Sequence, residues 1–598
     1  MASAAAEAGD SSGLAAGRYG PRWHDTALPS RHSLSLHLAL PHHGTPSATL
    51  PRAGKAETCP EHYPHLRCEF FFKSGNYCLV QGSLFVFFSG MLINRHLAYT
   101  PDLWIHQPHS DRTWSRNEFA QADLGDDRLN QRLVTITELF SQQPLANIPQ
   151  ACGNWARSKG AYRFFSNEKV SFAKILKAHQ QSTCERMNSH AVVLCPQDTT
   201  SLNYTPHMTT RGLGPIGKWG HTPIGFLVHS TVAVTPEGEM LGVLAGECWA
   251  RPPRPKRKSK KKKKHRNQLP LSKKESQRWL NSFRLLQTLA LRLPTTTLIS
   301  MGDREADLYD LLGMSFEPGN RVGLLVRMQH DRRIESSKEG EPKKQTIFKT
   351  LAGQPLRGKM EVIVPRQGAI AARQVTLEIR FMQVTLLPPR LKSRQEPLTV
   401  WAIEAREVDP PMGETAICWR LISSLPVETL RQAIEMVQWY TCRWVIEELH
   451  RVLKSGCKVE SRQLGTRERL ERVLAVDMVV AWKVLSLSRA ARYTPEAPAN
   501  GWLRKEEWQA LCCYRNEVKQ APEKAPTIRE ATRWIACLGG FLDRTGDGDP
   551  GPMVIWRGLH RLKDITESWL RFGNGHPEIP SGPKKPQPSS PKSLKRCG

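Results

Sequence analysis

Three acidic residues stand where chemistry could use them: Asp198 and Asp303, each closing a short apolar run, and Glu447 inside an amphipathic one. AVVLCPQD (191–198) and TTTLISMGD (295–303) read as strands ending in a carboxylate, and LRQAIEMVQWYTCRWVIEELHRVLK (430–454) reads as one long helix. A sheet sets strand ends side by side however far apart they lie in sequence. Asp198 and Asp303 could therefore converge on one edge, with a neighbouring helix adding Glu447. Three carboxylates with open positions suit hard, oxygen-loving cations such as magnesium. Two such ions about 4 Å apart would activate a water or a 3′-hydroxyl and stabilise the leaving oxygen of a phosphoryl transfer. Taken singly, each Asp is explained as well by a helix N-cap.

The helix around Glu447 carries more information. At about 100° per residue, Tyr440, Arg443, Glu447, Arg451 and Lys454 fall within about 80° of one another. Val445, Ile446, Leu449, Val452 and Leu453 occupy the opposite side. One face packs, and the other presents a carboxylate among cations and a phenol. A solvated face with a Glu447–Arg451 pair accounts for the charges but not for Tyr440 and Arg443 in line with them. A metal ligand flanked by phosphate-binding groups accounts for all five.

The elements that must position these residues follow from periodicity. Residues 1–110 are rich in Ala, Gly, Ser, Pro and His without sustained periodicity and read as a disordered extension, a start at Met91 being an alternative. Residues 111–185 read as a helical domain, with LGDDRLNQRLVTITELF (124–140), SKGAYRFFSN (158–167) and SFAKILKAHQQS (171–182) at helical spacing. A core over 186–465 contains the two Asp strands, a hairpin of GFLVHSTVAV (225–234) and GEMLGVLAGECWA (238–250), and an amphipathic helix at 274–293. READLYDLL (304–312) reads as a helix, about 328–416 as a β-rich insertion, and WRLISSL (419–425) as a strand. A helical region over 466–575 and a Pro, Ser and Lys-rich tail over 576–598 complete the chain.

The 598 residues carry a net charge of +29, which points to a polyanionic partner, nucleic acid being the commonest. Fourteen cysteines include no CxxC pair. Cys59, Cys68 and Cys78 are evenly spaced, but nothing nearby completes a zinc site. Reduced thiols are the simpler reading. The apolar stretch 84–93 is too short to span a bilayer and too far from residue 1 for a signal peptide, so a soluble intracellular protein is expected.

The run YTCRWVIEELHRVLK (440–454) matches Y-x2-R-x3-E-x6-K. This signature resembles that of the bacterial insertion-sequence transposases of the DDE cut-and-paste type, which include the transposase of the kanamycin-resistance composite transposon. QDTTSLNY (197–204) and GDREADLYDLL (302–312) resemble the family's first and second aspartate motifs, and KESQRW (274–279) resembles its core. LGDDRLNQR (124–132) and KGAYRFFSN (159–167) resemble its end-binding domain, and LGGFLDRTGDGDPGP (538–552) its C-terminal region. The likeness runs from about 114 to 572 in the family's order.

The resemblance implies an α/β fold: a ribonuclease-H-like core with a β-rich insertion, an N-terminal helical DNA-binding domain and a C-terminal helical dimerisation domain. It implies two magnesium ions, replaceable by manganese, on Asp198, Asp303 and Glu447. It implies DNA contacts by Tyr440, Arg443, Arg451 and Lys454, and base stacking on Trp419, worth about 1–3 kcal/mol. The partners implied are transposon ends, target DNA and a second copy of the chain, in a bacterial cytoplasm at the nucleoid. The lysine run 256–266 is more basic than the family requires, and residues 1–110 have no counterpart in it. The rivals are a catalytically dead repressor, a metal-dependent nuclease without strand transfer, and a basic RNA-binding protein.

Overall fold

A computed structural model of the chain describes residues 77–80, 83–88, 91–93, 114–217, 223–253, 270–335, 345–364, 373–390 and 395–573. The lysine run 256–266, Cys59, Cys68, the tail from 576 and most of the first 110 residues lie outside them. Three short strands pair antiparallel in sequence order: β1 (Tyr77–Val80), β2 (Ser83–Phe88) and β3 (Met91–Ile93). The described residues of the apolar stretch 84–93 thus pair as strands, and no described helix is long and apolar enough to cross a membrane.

From Trp114 the chain is helical: α1 (Trp114–Glu118), α2 (Asp127–Gln142), α3 (Ile148–Cys152), α4 (Trp155–Ser166) and α5 (Phe172–Met187). Side chains start these helices. Asp126, Asn147, Asn154 and Ser171 each accept a first-turn N–H that would otherwise lack a partner. In α2, Leu133, Ile136 and Phe140 recur at helical spacing and are buried.

Next comes a ten-stranded mixed sheet. Its strands are β4 (Val192–Asn203), β5 (Gly214–Pro215), β6 (Ile224–Val234), β7 (Met240–Trp249), β8 (Thr297–Gly302), β9 (Val322–Arg327), β10 (Gly358–Val364), β11 (Arg373–Leu386), β12 (Leu398–Glu407) and β13 (Cys418–Ser423). The order is β10-β11-β12-β13-β9-β8-β4-β6-β5, with β7 on β6. β4, β8 and β9 are parallel, and the remaining pairs are antiparallel. The parallel strands are covered on both faces, which explains their near-continuous apolar sequences. Between strands lie α6 (Gln277–Ala290), α7 (Tyr309–Met314) and α8 (Ile347–Ala352).

Alternation along the strands sorts the core into two layers. Val193, Cys195, Leu298 and Leu324 pack with Trp279, Phe283 and Leu286 of α6. Leu194, Ile299, Met301 and Leu325 pack on the other face, with residues of α9 (Leu430–Thr441), α10 (Val445–Arg451) and α11 (Arg467–Tyr493). The chain closes with α12 (Lys505–Asn516), α13 (Ile528–Leu538) and α14 (Pro552–Phe572).

Three expectations need correction. β4 runs on to Asn203, so Asp198 lies within a strand rather than at its end. The stretch 304–312 divides into a 3-10 turn, Arg304–Ala306, and α7. The stretch 430–454 is not one regular helix: a 3-10 turn, Cys442–Trp444, separates α9 from α10, and a π turn, Val452–Gly456, follows. The 3-10 turn is tighter and the π turn wider than an α-turn, so a uniform angular projection distorts along it.

Candidate active site

Strand register brings the two Asp residues together. β4 and β8 run parallel with Val192 opposite Thr297 and Pro196 opposite Met301. The same offset, extended two residues past the paired stretch, points Asp198 towards Asp303, and Asp303 acts electrostatically on the Asp198 carboxyl. Both continue the alternation of Leu194 and of Ile299 and Met301, so both belong to the face covered by α10. Gly302 allows the chain to turn there, since a side chain at that position would run into Ala306 and Trp279.

Each carboxylate is held differently. Asp198 accepts the Thr199 N–H at 2.7 Å. Asp303 caps the following 3-10 turn by accepting the Glu305 N–H at 2.8 Å, so the capping explanation holds for one of its oxygens. Glu447 Oε1 meets Arg443 Nη2 at 2.7 Å, in place of the Glu447–Arg451 pair that a solvated face would show. Glu447 Oε2 is buried and has no hydrogen-bond partner. The adjacent Glu448 points elsewhere and pairs with Arg489 of α11 at 2.8 Å.

The carboxylates sense one another. Burial pushes the Asp198 carboxyl up to about 7, against the Thr199 N–H; Glu447 and Asp303 add to the rise and Arg443 opposes it. Concentrated negative charge on hard oxygens, one of them unpartnered, is the donor chemistry a divalent hard cation satisfies. As they stand, no three acidic, His or Cys side chains among the described residues close on a common point suited to an ion. The residues fit such an ion in type and electrostatics.

Around the acids lies a basic and aromatic wall. Tyr440 and Arg443 are buried, at 2% and 7% exposure, so they do not belong to a solvated face. The Tyr440 ring meets that of half-buried Trp419 edge-on at 6.1 Å. The Arg443 guanidinium lies 5.3 Å from the ring centroid of half-exposed Trp444. Lys454 sits in the π turn, half-buried, and Arg451 is exposed. Burial pushes the Arg327 guanidinium below its ordinary value; Tyr440 opposes that shift, and Arg304 and Arg443 add to it. Arg304 and Arg327 therefore share this wall. Only the adjacency of Arg304 to Asp303 hinted at it in the sequence.

Two buried histidines brace the site, and sequence reasoning missed both. Behind Asp198, His229 Nδ1 meets Thr199 Oγ1 at 2.8 Å and Nε2 meets Gln197 Oε1 at 3.1 Å. Gln197 in turn donates to Ser300 of β8 at 2.8 Å. Burial holds the His229 ring neutral, pushing it down to about 3, which suits one donating and one accepting nitrogen. On the Asp198 face, Ser230 stands directly across the ladder from Asp198. Ser230 Oγ meets Nε2 of His450, one turn beyond Glu447, at 3.3 Å. His450 is likewise neutral, pushed down to about 3 by burial.

Comparison with known proteins bears on this arrangement. Three family models match: transposase DNA-binding over residues 111–170, transposase DDE domain over 244–476, and transposase Tn5 dimerisation domain over 479–576. Asp303 and Glu447 fall inside the DDE match, and Asp198 lies in the stretch between the first two matches. Among solved structures the chain is similar to a piggyBac transposase synaptic complex with hairpin DNA, at 11% identity and a TM-score of 0.27. That match covers 67% of this chain and 59% of the other, a superposition too loose to relate the two folds. The three matches follow one another along the chain in the order DNA-binding, DDE and Tn5-type dimerisation domain.

Proposed function

We propose that this chain, which carries transposase DNA-binding, DDE and Tn5-type dimerisation domains, excises a transposable element by cutting DNA at its ends and joins the freed 3′-ends to a target. The observation that carries the reading is the register of β4 on β8, which points Asp198 towards Asp303 on the face where α10 presents Glu447. The core then corresponds to a ribonuclease-H-like fold over 186–465. Residues 111–185 bind the transposon end, and 466–575 bring two copies together in the synaptic complex.

Asp198, Asp303 and Glu447 would hold two magnesium ions, or manganese in their place, which supply Lewis acidity at the attacking and leaving oxygens. The chain's own residues do the rest. Arg443, with Arg304 and Arg327 near enough to interact electrostatically, offers cations for the phosphates flanking the scissile bond. Tyr440, Arg451 and Lys454 extend that grip along the backbone. Trp419 offers a face on which a displaced base stacks.

In the first step water attacks a phosphodiester at the transposon end and releases a 3′-hydroxyl. That hydroxyl attacks the opposite strand, forming a hairpin and releasing flanking DNA. Water reopens the hairpin, and the restored 3′-hydroxyl attacks target DNA. The two attacks by water break a P–O ester bond, leave a 5′-phosphate and pass a proton to the leaving 3′-oxygen; the two attacks by the 3′-hydroxyl exchange one phosphoester bond for another, and no step uses a covalent protein intermediate. Such an enzyme works in the bacterial cytoplasm, at the nucleoid.

The test uses a duplex carrying the inverted repeats that flank the gene, with magnesium. Nicked, hairpin and inserted products are expected from the wild-type chain. Nicks without insertions would indicate a plain nuclease. Full cleavage by the Glu447→Ala protein would sink the mechanism.

A further inference from the structure

The face of the sheet turned away from Asp198 carries a polar row inside an apolar layer. On β4, Val193 and Cys195 pack with Trp279, Phe283 and Leu286 of α6, and Gln197 and Thr199 continue the same alternation. Ser300 of β8 follows Leu298 on that face, and His229 of β6 stands opposite Thr199 across the ladder. Gln197, His229 and Ser300 are all buried. Each would cost about 1–3 kcal/mol there without a partner. They partner one another instead.

Hydrogen bonding gives the row a direction. Gln197 Nε2 donates to Ser300 Oγ at 2.8 Å, which leaves Gln197 Oε1 to accept from His229 Nε2 at 3.1 Å. A neutral ring with its proton on Nε2 has an accepting Nδ1, and Thr199 Oγ1 donates to it at 2.8 Å. α6 clamps the ring from the side. Trp279 meets His229 edge-on at 4.8 Å, and Thr231 Oγ1 donates to Ser282 Oγ at 3.0 Å. The row reaches the backbone beside both acids. The Thr199 N–H donates to Asp198 Oδ1 at 2.7 Å. Trp279 also covers Gly302, immediately before Asp303, where a side chain would run into it. β8 pairs with β4 only as far as Pro196 opposite Met301, so beyond that point β4 relies on this row and on β6 for its placement.

Resting on the reading of Asp198 as a ligand of divalent cations, we infer that His229, with its proton on Nε2, is a positioning residue: it holds the Thr199 hydroxyl, so that the Thr199 N–H keeps the Asp198 carboxylate from rotating. His229 touches neither the metal ligands nor the DNA in this reading; it acts through Thr199. Groups that orient a metal ligand from outside its coordination sphere tune metal affinity as well as geometry. The Gln197–Ser300 bond adds register to orientation, since a slip of one residue would carry Asp198 to the wrong face.

The experiment measures manganese binding to the full-length chain by titration calorimetry, with urea midpoints for stability. Thr199→Val keeps the shape and loses the hydroxyl; His229→Gln keeps a donor for Gln197 and loses the acceptor for Thr199. Both are expected to bind manganese about tenfold more weakly or worse, the usual cost of losing an outer partner of a metal ligand. Thr199→Ser restores the hydroxyl, and His229→Asn places an acceptor where Nδ1 stood, so both should bind close to wild type. His229→Asn leaves Gln197 without its partner and should be no more stable than Thr199→Val, yet keep its metal. In nicking assays the weakened pair should need more magnesium and recover at saturation. Wild-type affinity in Thr199→Val, the variant most certain to fold, overturns the inference alone. So does affinity that follows stability across the four variants, which would mark the row as purely structural. A wild type that binds no manganese overturns the metal reading and the inference with it.

Discussion

Arg443 Nη2 lies 2.7 Å from Glu447 Oε1, and the second oxygen of the same carboxylate is buried with no hydrogen-bond partner. The neighbouring Glu448 has its charge matched by Arg489 at 2.8 Å on a different side of the helix. Two adjacent glutamates are thus given separate tasks by what surrounds them.

Separate outcomes follow for the two. Glu447→Gln is expected to slow magnesium-dependent nicking about a thousandfold, the equivalent of several kcal/mol of lost charge stabilisation, while leaving duplex binding intact. Glu448→Gln should lower stability by about 1 kcal/mol, since the pair is partly exposed, and leave nicking within a few-fold of wild type. Gel assays for nicking and denaturant titration for stability check both, and equal loss of cleavage in the two variants would contradict the assignment.

The contact between His450 and Ser230 ties α10 to β6 beside Asp198. Ser230→Ala leaves a buried ring nitrogen unsatisfied and is expected to cost about 1–3 kcal/mol. His450→Ala should cost at least as much through the cavity it opens. The two losses should combine to less than their sum in a double-mutant cycle. Manganese binding, followed by titration calorimetry, should weaken in both variants. Strict additivity, or unchanged manganese affinity, would show that the contact does not position Glu447.

Acid should loosen the attachment of α1 to α5. Burial alone would raise the Glu118 carboxyl, but Arg186 and His179 together outweigh it and hold it at about 2, below its ordinary 4.5. A carboxyl lowered in the folded state stabilises above its unfolded value, and that contribution is lost as pH falls from about 4.5 towards 2. His179, pushed down by burial, acts with the same sign from below its ordinary 6.5. Urea midpoints measured from pH 7 downward should therefore fall more steeply in the wild type than in Glu118→Gln; parallel curves would exclude this linkage.

Arg462 and Asp477 form a buried pair at 2.7 Å, and Arg462 also donates to the Ala146 carbonyl at 2.8 Å. Arg462 thus ties the segment after the π turn both to α11 and to the connection between α2 and α3. Asp477→Ala strands a buried guanidinium and is expected to cost about 3–5 kcal/mol. The double change Arg462→Met with Asp477→Leu should cost much less, because it removes both charges. Thermal unfolding of the three proteins decides it, and a double variant less stable than Asp477→Ala would argue against a desolvation origin.

Much of the architecture was legible in local pattern. Strand alternation at 359–364 and 373–386, the hairpin at 225–250 and the helices at 127–142 and 277–290 appear where their periodicity placed them. The packing side of α10 and the turn after it was legible too, since Val445, Ile446, Leu449, Val452 and Leu453 are all buried. The burial of the opposite side was not legible. Tyr440 and Arg443 look like surface residues by type, yet they are buried against Trp419 and the acids. His229, His450 and Arg327 gave no local signal, because each works through a partner on a strand or helix distant in sequence.

The sequence by itself determined which stretches pair as strands or coil as helices, and that three carboxylates with cations beside one of them were available. These are properties of neighbouring residues, set by pleat and helical period. Only the tertiary structure decided that β4 and β8 are parallel neighbours in a register that points Asp198 towards Asp303. It also decided that Glu447, and not Glu448, faces them. The reason is that non-local pairing depends on how whole layers pack, and one residue of register would send either Asp to the opposite face of the sheet.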